Sequence, residues 1–261
     1  MIPAGAVTAW IADHPWPTRE QVEQDLLLSR AICSIADDPY LSRELVFRGG
    51  TALHKLHLAK PLRYSEVLDY VRTSATGIKE LTAALTGLGE SLGFTVRTRV
   101  SEHPRVLWRA LAQTGVPLRI KIKVNTHERS PSLPHVLLPY AVRSPWWTAE
   151  AEIRTFQAPE LVATKIRALY QRSKGRDLFD LWLALDQLEL DPAAIVAAYR
   201  PAGMTMARAI ANLDAKTRDR SFRADLGPLV AVIPEGFDVD DAAHRINTDL
   251  LSHLDGLTEG P

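Results

Sequence analysis

Apolar residues near the start of the chain recur at the spacing of an amphipathic helix. Thr18 is a favourable N-cap, Gln21 stands three residues later, and the pattern that follows predicts a helix over residues 19–37. An Asp-Pro pair that begins at Asp38 then stops this helix. Residues 1–17 contain three prolines and show no sustained period, so they predict a loosely structured lead-in.

A strand, a glycine turn and a helix follow in direct succession. Residues 45–48 are a short apolar run, two glycines and Thr51 come next, and residues 52–58 have helical spacing. Residues 68–71 predict a second strand. Leucines at helical spacing predict a further helix from Gly77 to Gly93, and the second of these glycines suits a helix end.

The middle of the chain changes to the alternation that is typical of half-buried strands. Residues 94–100, 105–110 and 118–124 all alternate, and the last segment has one apolar and one cationic face. Residues 129–148 are rich in proline and serine, and we interpret them as a connector to a second part of the protein.

The last hundred residues have helical periodicity. Pro159 and Glu160 suit the first turn of a helix. The further predicted helices cover residues 178–188, 191–199, 204–226 and 240–255. The pattern therefore predicts two domains, an α/β domain with an N-terminal helix over residues 1–150 and a helical domain over residues 151–261.

Composition and charge narrow the class of protein. The chain of 261 residues is 46% hydrophobic and 24% charged, which is ordinary for a globular protein. Its formal net charge is zero, so any nucleic acid must be bound by a local basic patch. A lone cysteine, Cys33, excludes an internal disulfide, and no apolar run approaches the length of a membrane span or resembles a signal peptide. We expect a cytoplasmic protein without a membrane segment.

The glycine pair after the first strand is a candidate phosphate site. A strand that ends in Gly49 and Gly50 and opens a helix brings bare backbone N–H groups to a helix N-terminus, where anions bind. Taken alone, such a pair is more often a tight turn. Asp69 on the next strand changes the balance, because phosphoryl-transfer sites hold Mg²⁺ with one or two carboxylates and substrate phosphates. Val67 shares the face of Asp69.

Three blocks of sequence, in order over about residues 20–190, resemble AbiEii/AbiGii-type nucleotidyltransferase toxins of type IV toxin–antitoxin systems. Residues 47–55 read FRGGTALHK and residues 63–69 read RYSEVLD, similar to the family's GGT-x-L-x-K and R-x-S-x-D-x-D. Residues 120–125 read IKIKVN, similar to K-I-E-[IV]-N. Residues 165–172 and 176–181 read KIRALYQR and RDLFDL, similar to K-x-x-A-L-x-x-R and RD-x-[YF]-D-L.

The resemblance implies a fold and an activity. The fold is α/β (α+β), a nucleotidyltransferase-type small mixed sheet with flanking helices, followed by a helical C-terminal region. The activity is transfer of a nucleoside monophosphate from a nucleoside triphosphate (NTP), with Mg²⁺, to an RNA acceptor for which tRNA is the leading candidate. Toxins of this family usually pair with a cognate antitoxin, so a protein partner is also implied.

The resemblance also assigns candidate site residues. Asp69 would hold the metal, and the catalytic candidates of the helical part are Lys165, Asp177 and Asp180. The candidates for binding nucleotide or phosphate are Gly49, Gly50, Thr51, Arg63, Ser65, Lys121, Arg172 and Arg176. Two readings stay open for Asp180, a direct role at the site or an Arg–Asp lattice that joins helices.

Two positions depart from the family pattern. Val67 stands where the family has Asp, and Lys123 stands where it has an acid, usually Glu. Valine cannot ligate a metal, and the Lys123 ammonium would stand where a divalent cation is expected or pair with Asp69 instead. We therefore expect weak or absent activity. The alternatives are a pseudo-nucleotidyltransferase that binds nucleotide or RNA without chemistry, and a transferase with a small-molecule acceptor.

Overall fold

A mixed seven-stranded sheet organises the first half of the protein. The structure is a computed structural model that describes residues 2–60, 62–100, 103–198 and 205–253. The sheet order is β3-β4-β5-β2-β1-β7-β6, and the pairs β2–β5 and β1–β7 are parallel whereas the others are antiparallel. The strands are β1 (Leu45–Arg48), β2 (Val67–Arg72), β3 (Thr95–Arg99), β4 (Arg105–Leu111), β5 (Pro117–Asn125), β6 (Val136–Arg143) and β7 (Thr148–Thr155).

Helices flank the sheet and make up the second half. Those of the first half are α1 (Ala4–Ile11), α2 (Arg19–Asp37), α3 (Leu41–Glu44), α4 (Gly49–Ala52), a π-helical turn (Leu53–His57) and α5 (Ile78–Ser91). Those of the second half are α6 (Ala158–Gln171), α7 (Gly175–Gln187), α8 (Pro192–Ala198), α9 (Met206–Thr217), α10 (Arg220–Ala224), a 3-10 turn (Gly227–Leu229) and α11 (Val239–Asp249). The predicted mixed α/β class is confirmed.

The chain divides into two units that interleave in sequence. The first unit comprises Met1–Leu56, Tyr64–Ser130 and His135–Phe156, and the second comprises His57–Arg63, Pro131–Pro134 and Gln157–Pro261. Hydrogen bonds explain why the short segment Pro131–Pro134 belongs to the second unit. The backbone N–H groups of Ser132 and Leu133 donate to the Glu160 carboxylate, each at 3.0 Å. The sequence did not indicate this interleaving.

One face of the sheet packs against helices of the first unit. The Trp108 indole on β4 donates its Nε1 proton to the Leu85 carbonyl of α5 at 3.1 Å. Gly89 makes this approach possible, since a Cβ there would lie 2.5 Å from Trp108 Nε1. Phe47 and Tyr70 pack against each other on the same face, with ring centroids 5.0 Å apart and the ring planes tilted by 33°. Their burial removes large apolar areas from water, which is the main stabilising contribution to this core.

Strand β5 confirms the prediction of one apolar and one cationic face. Its alternate residues Leu118, Ile120, Ile122 and Val124 are buried. The residues between them are Arg119, Lys121 and Lys123, and they lie on the opposite face, where they are exposed or half-buried. Successive side chains of a strand point to opposite faces. The apolar face of β5 is therefore the buried one, and the cationic face is the one left towards solvent.

Helix α2 begins and ends where the sequence predicts. The Thr18 hydroxyl accepts from the Gln21 backbone N–H at 3.2 Å, and the Gln21 side chain accepts from the Thr18 N–H at 3.1 Å. This reciprocal pair satisfies two N–H groups that would otherwise lack partners at the start of the helix. The predicted helix over residues 19–37 is confirmed.

The prediction of a loosely structured lead-in over residues 1–17 was wrong. This segment contains α1, whose Val7 and Trp10 side chains are buried. The Trp10 indole donates to the Asp25 carboxylate of α2 at 3.0 Å. The helix is too short for a periodicity to stand out, and its stability comes from packing against α2 rather than from local sequence.

The prediction of a connector over residues 129–148 was also wrong. Residues Val136–Arg143 form β6, which pairs with β7 in a regular antiparallel register. Pro139 lies within β6 opposite Glu152. Proline is compatible with this position because β6 is the last strand of the sheet and has one side without a strand neighbour.

The second unit is built around its own helical core. Its central buried residues include Ile166, Leu178, Leu181, Phe222 and Ile246. Helix α7 begins close to α10, since a Cβ at Gly175 would lie 2.2 Å from the Phe222 carbonyl oxygen. Within the described ranges, no helix has both the length and the apolar character that crossing a membrane requires.

The burial of His14 predicts a pH-dependent stability. Its ring stacks on Trp10 with centroids 4.0 Å apart. Burial lowers the pKa of His14 from its usual 6.5 to about 4, with Lys55 lowering it further and Asp25 opposing. The unfolded histidine therefore gains its proton near pH 6.5 and the folded one only near pH 4. The contribution of neutral His14 to the free energy of unfolding is therefore complete above pH 6.5 and is lost as the pH falls towards 4.

We expect the free energy of unfolding to fall by about 2–3 kcal/mol between pH 6.5 and pH 4 through this group. Urea denaturation at several pH values measures the fall, and His14→Phe is expected to remove it. A pH profile that is identical in the two proteins would show that another group is responsible.

Candidate active site

The turn between β1 and α4 brings glycine backbone against a carboxylate. Gly49 has a φ of +80°, in the left-handed region that favours glycine. A Cβ at Gly49 would lie 3.0 Å from Asp69 Oδ2 and 3.2 Å from Asp69 Cβ. Arg48, the residue before it, is the register partner of Asp69 in the antiparallel pair of β1 and β2. The structure thus brings together the predicted glycine turn and the predicted metal ligand.

Gly49→Ala is expected to destabilise the protein by about 1–3 kcal/mol, because alanine meets both the unfavourable φ and the Asp69 carboxylate. Thermal denaturation measures the effect. Gly87→Ala is the matched control, since a Cβ at Gly87 in α5 meets nothing within 4 Å and alanine favours a helix. Equal melting temperatures for Gly49→Ala and wild type would contradict the strained turn.

The hydroxyl of Thr51 is engaged within the first unit. Thr51 is buried, and its Oγ1 donates to the Val67 carbonyl at 2.6 Å and lies 2.7 Å from Ser65 Oγ. Since Thr51 gives its one proton to β2, it receives the proton of Ser65 in turn. Both residues therefore hold the start of α4 against β2. The proposed phosphate contacts in this turn rest on the backbone N–H groups of Gly49 and Gly50.

The two departures from the family pattern flank Asp69 on one face of the sheet. In the parallel pair of β2 and β5, Asp69 is opposite Lys123 and Val67 is opposite Lys121. The expected ion pair between Lys123 and Asp69 is not formed among the described residues. The Lys123 side chain is exposed, and its long stem lets the ammonium remain hydrated in water.

Lys121 pairs instead with Glu66, with Nζ 2.5 Å from Oε1. By the alternation of a strand, Glu66 would point away from the face of Asp69. Glu66 lies one residue before β2 begins, so the alternation of a strand does not govern its direction. Both side chains of the pair are more than 40% exposed, so the ion pair contributes only about 0–1 kcal/mol to stability.

An acidic residue that sequence reasoning missed lies near the end of β5. Glu128 accepts from Arg48 Nη1 at 2.7 Å and from Asn125 Nδ2 at 3.1 Å. The available signal in the sequence was its partner, because Arg48 is a basic residue that directly precedes the glycine pair. The Glu128 carboxylate thereby holds the Arg48 guanidinium in place next to the glycine turn.

The donor set on this face does not fit a two-metal centre. Two metals need several carboxylates, whereas Asp69 has a valine and a lysine as neighbours on its face. In the described part of the chain, no group of three or more histidine, cysteine, aspartate or glutamate side chains is arranged to bind a metal. Asp69 fits at most one Mg²⁺ held mainly by substrate phosphates.

The second unit contains a buried cluster of opposite charges. Arg63 forms two hydrogen bonds with Asp180, at 2.6 and 2.7 Å. Lys165 on α6 lies 2.5 Å from Asp180 and 3.1 Å from Asp177, both on α7. Arg172 forms two hydrogen bonds with Asp177, at 2.7 and 2.8 Å. The structure therefore brings five of the predicted site residues into one charge cluster.

The cluster holds three cations against two carboxylates. Burial alone would raise the pKa of Asp177, but Lys165 and Arg172 outweigh it and the pKa is lowered. Asp177 is therefore ionised at neutral pH and a poor proton acceptor. Arg172 keeps half of its side chain exposed while it binds Asp177. The two carboxylates thus hold the three cations in fixed positions.

Comparison with known proteins decides the family. The family model described as nucleotidyl transferase AbiEii toxin, type IV TA system, matches residues 30–243. The chain belongs to the AbiEii toxin family. The match covers most of the chain, including both the glycine turn and the charge cluster.

Comparison with solved structures bears on the fold. MenT4, a nucleotidyltransferase toxin from Mycobacterium tuberculosis H37Rv, is similar with a TM-score of 0.67 at 16% identity, over 100% of this chain and 91% of that chain. This likeness confirms the predicted nucleotidyltransferase fold. An antigenic nucleotidyltransferase-like protein from Paracoccidioides brasiliensis matches with a TM-score of 0.41 at 15% identity, over 83% of this chain and 96% of that chain. Among curated protein sequences, none matches significantly.

Two positions of the AbiEii motifs have partners that the sequence did not predict. Lys55, the last residue of the glycine block, is buried and lies 2.9 Å from Asp25 and 3.0 Å from Ser29 Oγ on α2. Arg176 was predicted to join the phosphate pocket, but its Nε lies 3.7 Å from Asp225, apart from the cluster of Asp177 and Asp180. Neither aspartate partner lies in a motif block.

Proposed function

We propose that this chain is a toxin that transfers a nucleoside monophosphate from an NTP to an RNA acceptor, with tRNA as the leading candidate. The observation that carries the proposal is the Gly49 turn packed against Asp69, in a member of the AbiEii family. NTPs and tRNA are abundant in the cytoplasm, so we propose that the protein acts there. A cognate antitoxin protein is the proposed partner that restrains it.

The proposed reaction forms one bond and breaks one bond. A hydroxyl oxygen of the RNA acceptor attacks the α-phosphorus of the NTP. The bond from this phosphorus to the oxygen that bridges to the β-phosphate breaks, and pyrophosphate leaves. The hydroxyl proton passes to solvent or to a nearby base. Such a transfer depends on positioning and on compensation of phosphate charge more than on covalent chemistry by the protein.

The residues of the first unit would bind the triphosphate. The backbone N–H groups of Gly49 and Gly50, at the start of α4, suit phosphate oxygens. Thr51 and Ser65 hold this turn on β2 and act as positioning residues. Asp69 is the proposed ligand of Mg²⁺, which when bound supplies charge compensation on the phosphates.

The residues of the second unit would supply positive charge. Lys165 and Arg172 are proposed as anion-binding cations of this unit, and Arg63 shares the carboxylate partner Asp180 with Lys165. Asp177 and Asp180 keep these cations charged and oriented, as positioning residues rather than proton acceptors. Arg176 is a weaker candidate, because it is bound to Asp225.

We further propose that Val67 and Lys123 impair the chemistry. Valine supplies no ligand on the face of Asp69, and a cationic side chain beside Asp69 disfavours a second cation. The alternative from another class is a pseudo-nucleotidyltransferase that binds nucleotide or RNA and does no chemistry. The same two residues are the observation that favours it.

One experiment separates these functions. The chain and a Val67→Asp/Lys123→Glu variant are each incubated with every labelled NTP in turn, Mg²⁺ and total tRNA. Label in RNA with the variant alone supports a toxin enzyme in an impaired form. Metal-dependent label with the unaltered chain eliminates the pseudoenzyme. No label with either protein, together with measurable nucleotide binding, overturns the transfer proposal in favour of the binding module.

A further inference from the structure

We propose that the exposed face of β3, β4 and β5 binds the phosphate backbone of the RNA acceptor. This inference rests on the proposed function, because it identifies where the acceptor of that reaction docks. We call this surface the cationic face, and it consists of Arg97, Arg99, Arg105, Arg119, Lys121 and Lys123.

The strand register lines these cations up in rows across the sheet. Arg99 is opposite Arg105, Arg105 is opposite Lys123, and Lys123 is opposite Asp69. Residues that are paired in this way point to the same side of a sheet. One row of the cationic face therefore ends at Asp69, beside the glycine turn.

The cations of this face are available to a ligand. Arg97, Arg99, Arg105, Arg119 and Lys123 are all exposed. Among the described residues, no acidic side chain forms an ion pair with any of these five, and only Lys121 has a carboxylate partner, Glu66. The protein as a whole has equal numbers of basic and acidic residues. The cationic face is thus a local segregation of charge in a neutral chain.

The composition of the face favours a polyphosphate over a protein partner. The centre of a protein interface is usually apolar and poor in charge. Among the paired positions of β4 and β5 on this face, the apolar residues are the half-buried Leu107 and, at the end away from Asp69, the exposed pair of Leu111 and Pro117. Guanidinium groups suit phosphate because they donate two parallel hydrogen bonds to it. A basic patch of this kind is what a near-neutral protein needs to bind nucleic acid.

The dimensions of the face match a single nucleic-acid strand better than a duplex. Three neighbouring strands span about 10 Å, because adjacent strands lie about 4.8 Å apart. Cations two residues apart along one strand, such as Arg97 and Arg99, are separated by about 6.6 Å. An RNA strand that follows the row from Arg99 towards Lys123 brings its end to Asp69. The cationic face would therefore guide the acceptor end to the reacting groups.

The test removes three cations that are distant from the proposed metal ligand. Arg97→Gln/Arg99→Gln/Arg105→Gln is compared with Arg43→Gln/Lys79→Gln/Arg143→Gln, which changes the charge equally at exposed positions off this face. Fluorescent tRNA is titrated without NTP or Mg²⁺ at several salt concentrations. We expect at least roughly tenfold weaker binding for the first variant, with a salt slope that is less steep by about 2–3. The control variant is expected to bind as wild type does.

A lysine variant and two further measurements make the outcome decisive. Arg97→Lys/Arg99→Lys/Arg105→Lys keeps the charge and is expected to retain most of the affinity, and thermal denaturation checks that each variant is folded. Equal affinities for the glutamine variant and its control would overturn the inference, even if transfer to RNA is observed. Loss of RNA binding in the glutamine variant, with nucleotide binding intact and no transfer by any variant, would support the face and reject the proposed reaction. Equal affinity of wild type for RNA and for a DNA strand of the same length, with equal sensitivity to the three substitutions, would overturn the assignment to RNA.

Discussion

Asp180→Ala is expected to destabilise the protein by about 3–5 kcal/mol, because it removes a buried carboxylate that two buried cations share. Asp180 is fully buried and receives two hydrogen bonds from Arg63 and an ion pair from Lys165. Arg63 is itself 4% exposed, so water cannot replace the lost carboxylate. The loss therefore exceeds that of most single substitutions, whose cost is about 1 kcal/mol.

Chemical denaturation of wild type and variant measures this effect. Glu150→Ala is the matched control, because its partner Arg143 and Glu150 itself are 78% and 69% exposed, and exposed pairs contribute about 0–1 kcal/mol. A second variant, Arg63→Leu/Asp180→Leu, removes both charges and is expected to regain much of the stability. If Asp180→Ala unfolds at the same denaturant concentration as wild type, the ion pairs of Asp180 are not needed for the stability of the folded protein.

Val67→Asp/Lys123→Glu is expected to raise the rate of nucleotide transfer by roughly 10²–10³-fold. The reason is that carboxylates at these two positions complete a metal site around Asp69, and metal ions stabilise the transferred phosphate by several kcal/mol, with about 1.4 kcal/mol corresponding to each tenfold change in rate. Both positions lie on the face of Asp69, one on the same strand and one directly opposite on β5. Single-turnover transfer at saturating tRNA measures the chemical step.

A control variant separates the supply of ligands from the relief of repulsion. Val67→Leu/Lys123→Met removes the ammonium without adding a carboxylate and is expected to leave transfer close to the level of the unaltered chain. Because Lys123 also belongs to the cationic face, saturating RNA is required, so that weaker docking does not mask a faster reaction. Unchanged turnover in Val67→Asp/Lys123→Glu would place the metal site elsewhere.

The buried charge cluster restricts how the helices of the second unit can be arranged. Three cations share two carboxylates, and each cation pairs with a group that would be costly to bury alone. Such a cluster contributes little net stability compared with apolar packing, but it defines one arrangement of α6, α7 and the segment that contains Arg63. This explains how the same residues can hold the fold while half of the Arg172 side chain remains exposed.

Local patterns in the sequence were sufficient for much of the fold. The capping pair of Thr18 and Gln21 marks the start of α2, and the alternation of β5 identifies its buried face. Both signals depend on neighbours within a few residues, so that no distant contact is needed to interpret them. The glycine pair followed by Asp69 also predicted the turn and its carboxylate partner, because the family motif preserves their spacing.

Other features depended on contacts between distant segments. Helix α1 forms because Trp10 packs on α2 and binds Asp25, and β6 tolerates Pro139 because it is the last strand of the sheet. Glu66 pairs with Lys121 because it lies just outside β2, which begins at Val67, so the alternation of a strand does not set its direction. Each of these outcomes depends on tertiary neighbours, which local propensity does not encode.

The sequence by itself therefore determined the family, the mixed α/β class and the glycine turn beside Asp69. Only the tertiary structure decided that Arg63 forms an ion pair with Asp180. It also decided that arginines of β3 and β4 lie in one row with Lys123, and that this row ends at Asp69. The physical reason is that strand register and long-range ion pairs join residues separated by tens of positions. Short-range periodicity reports the face on which a side chain lies, but not which distant side chain lies beside it.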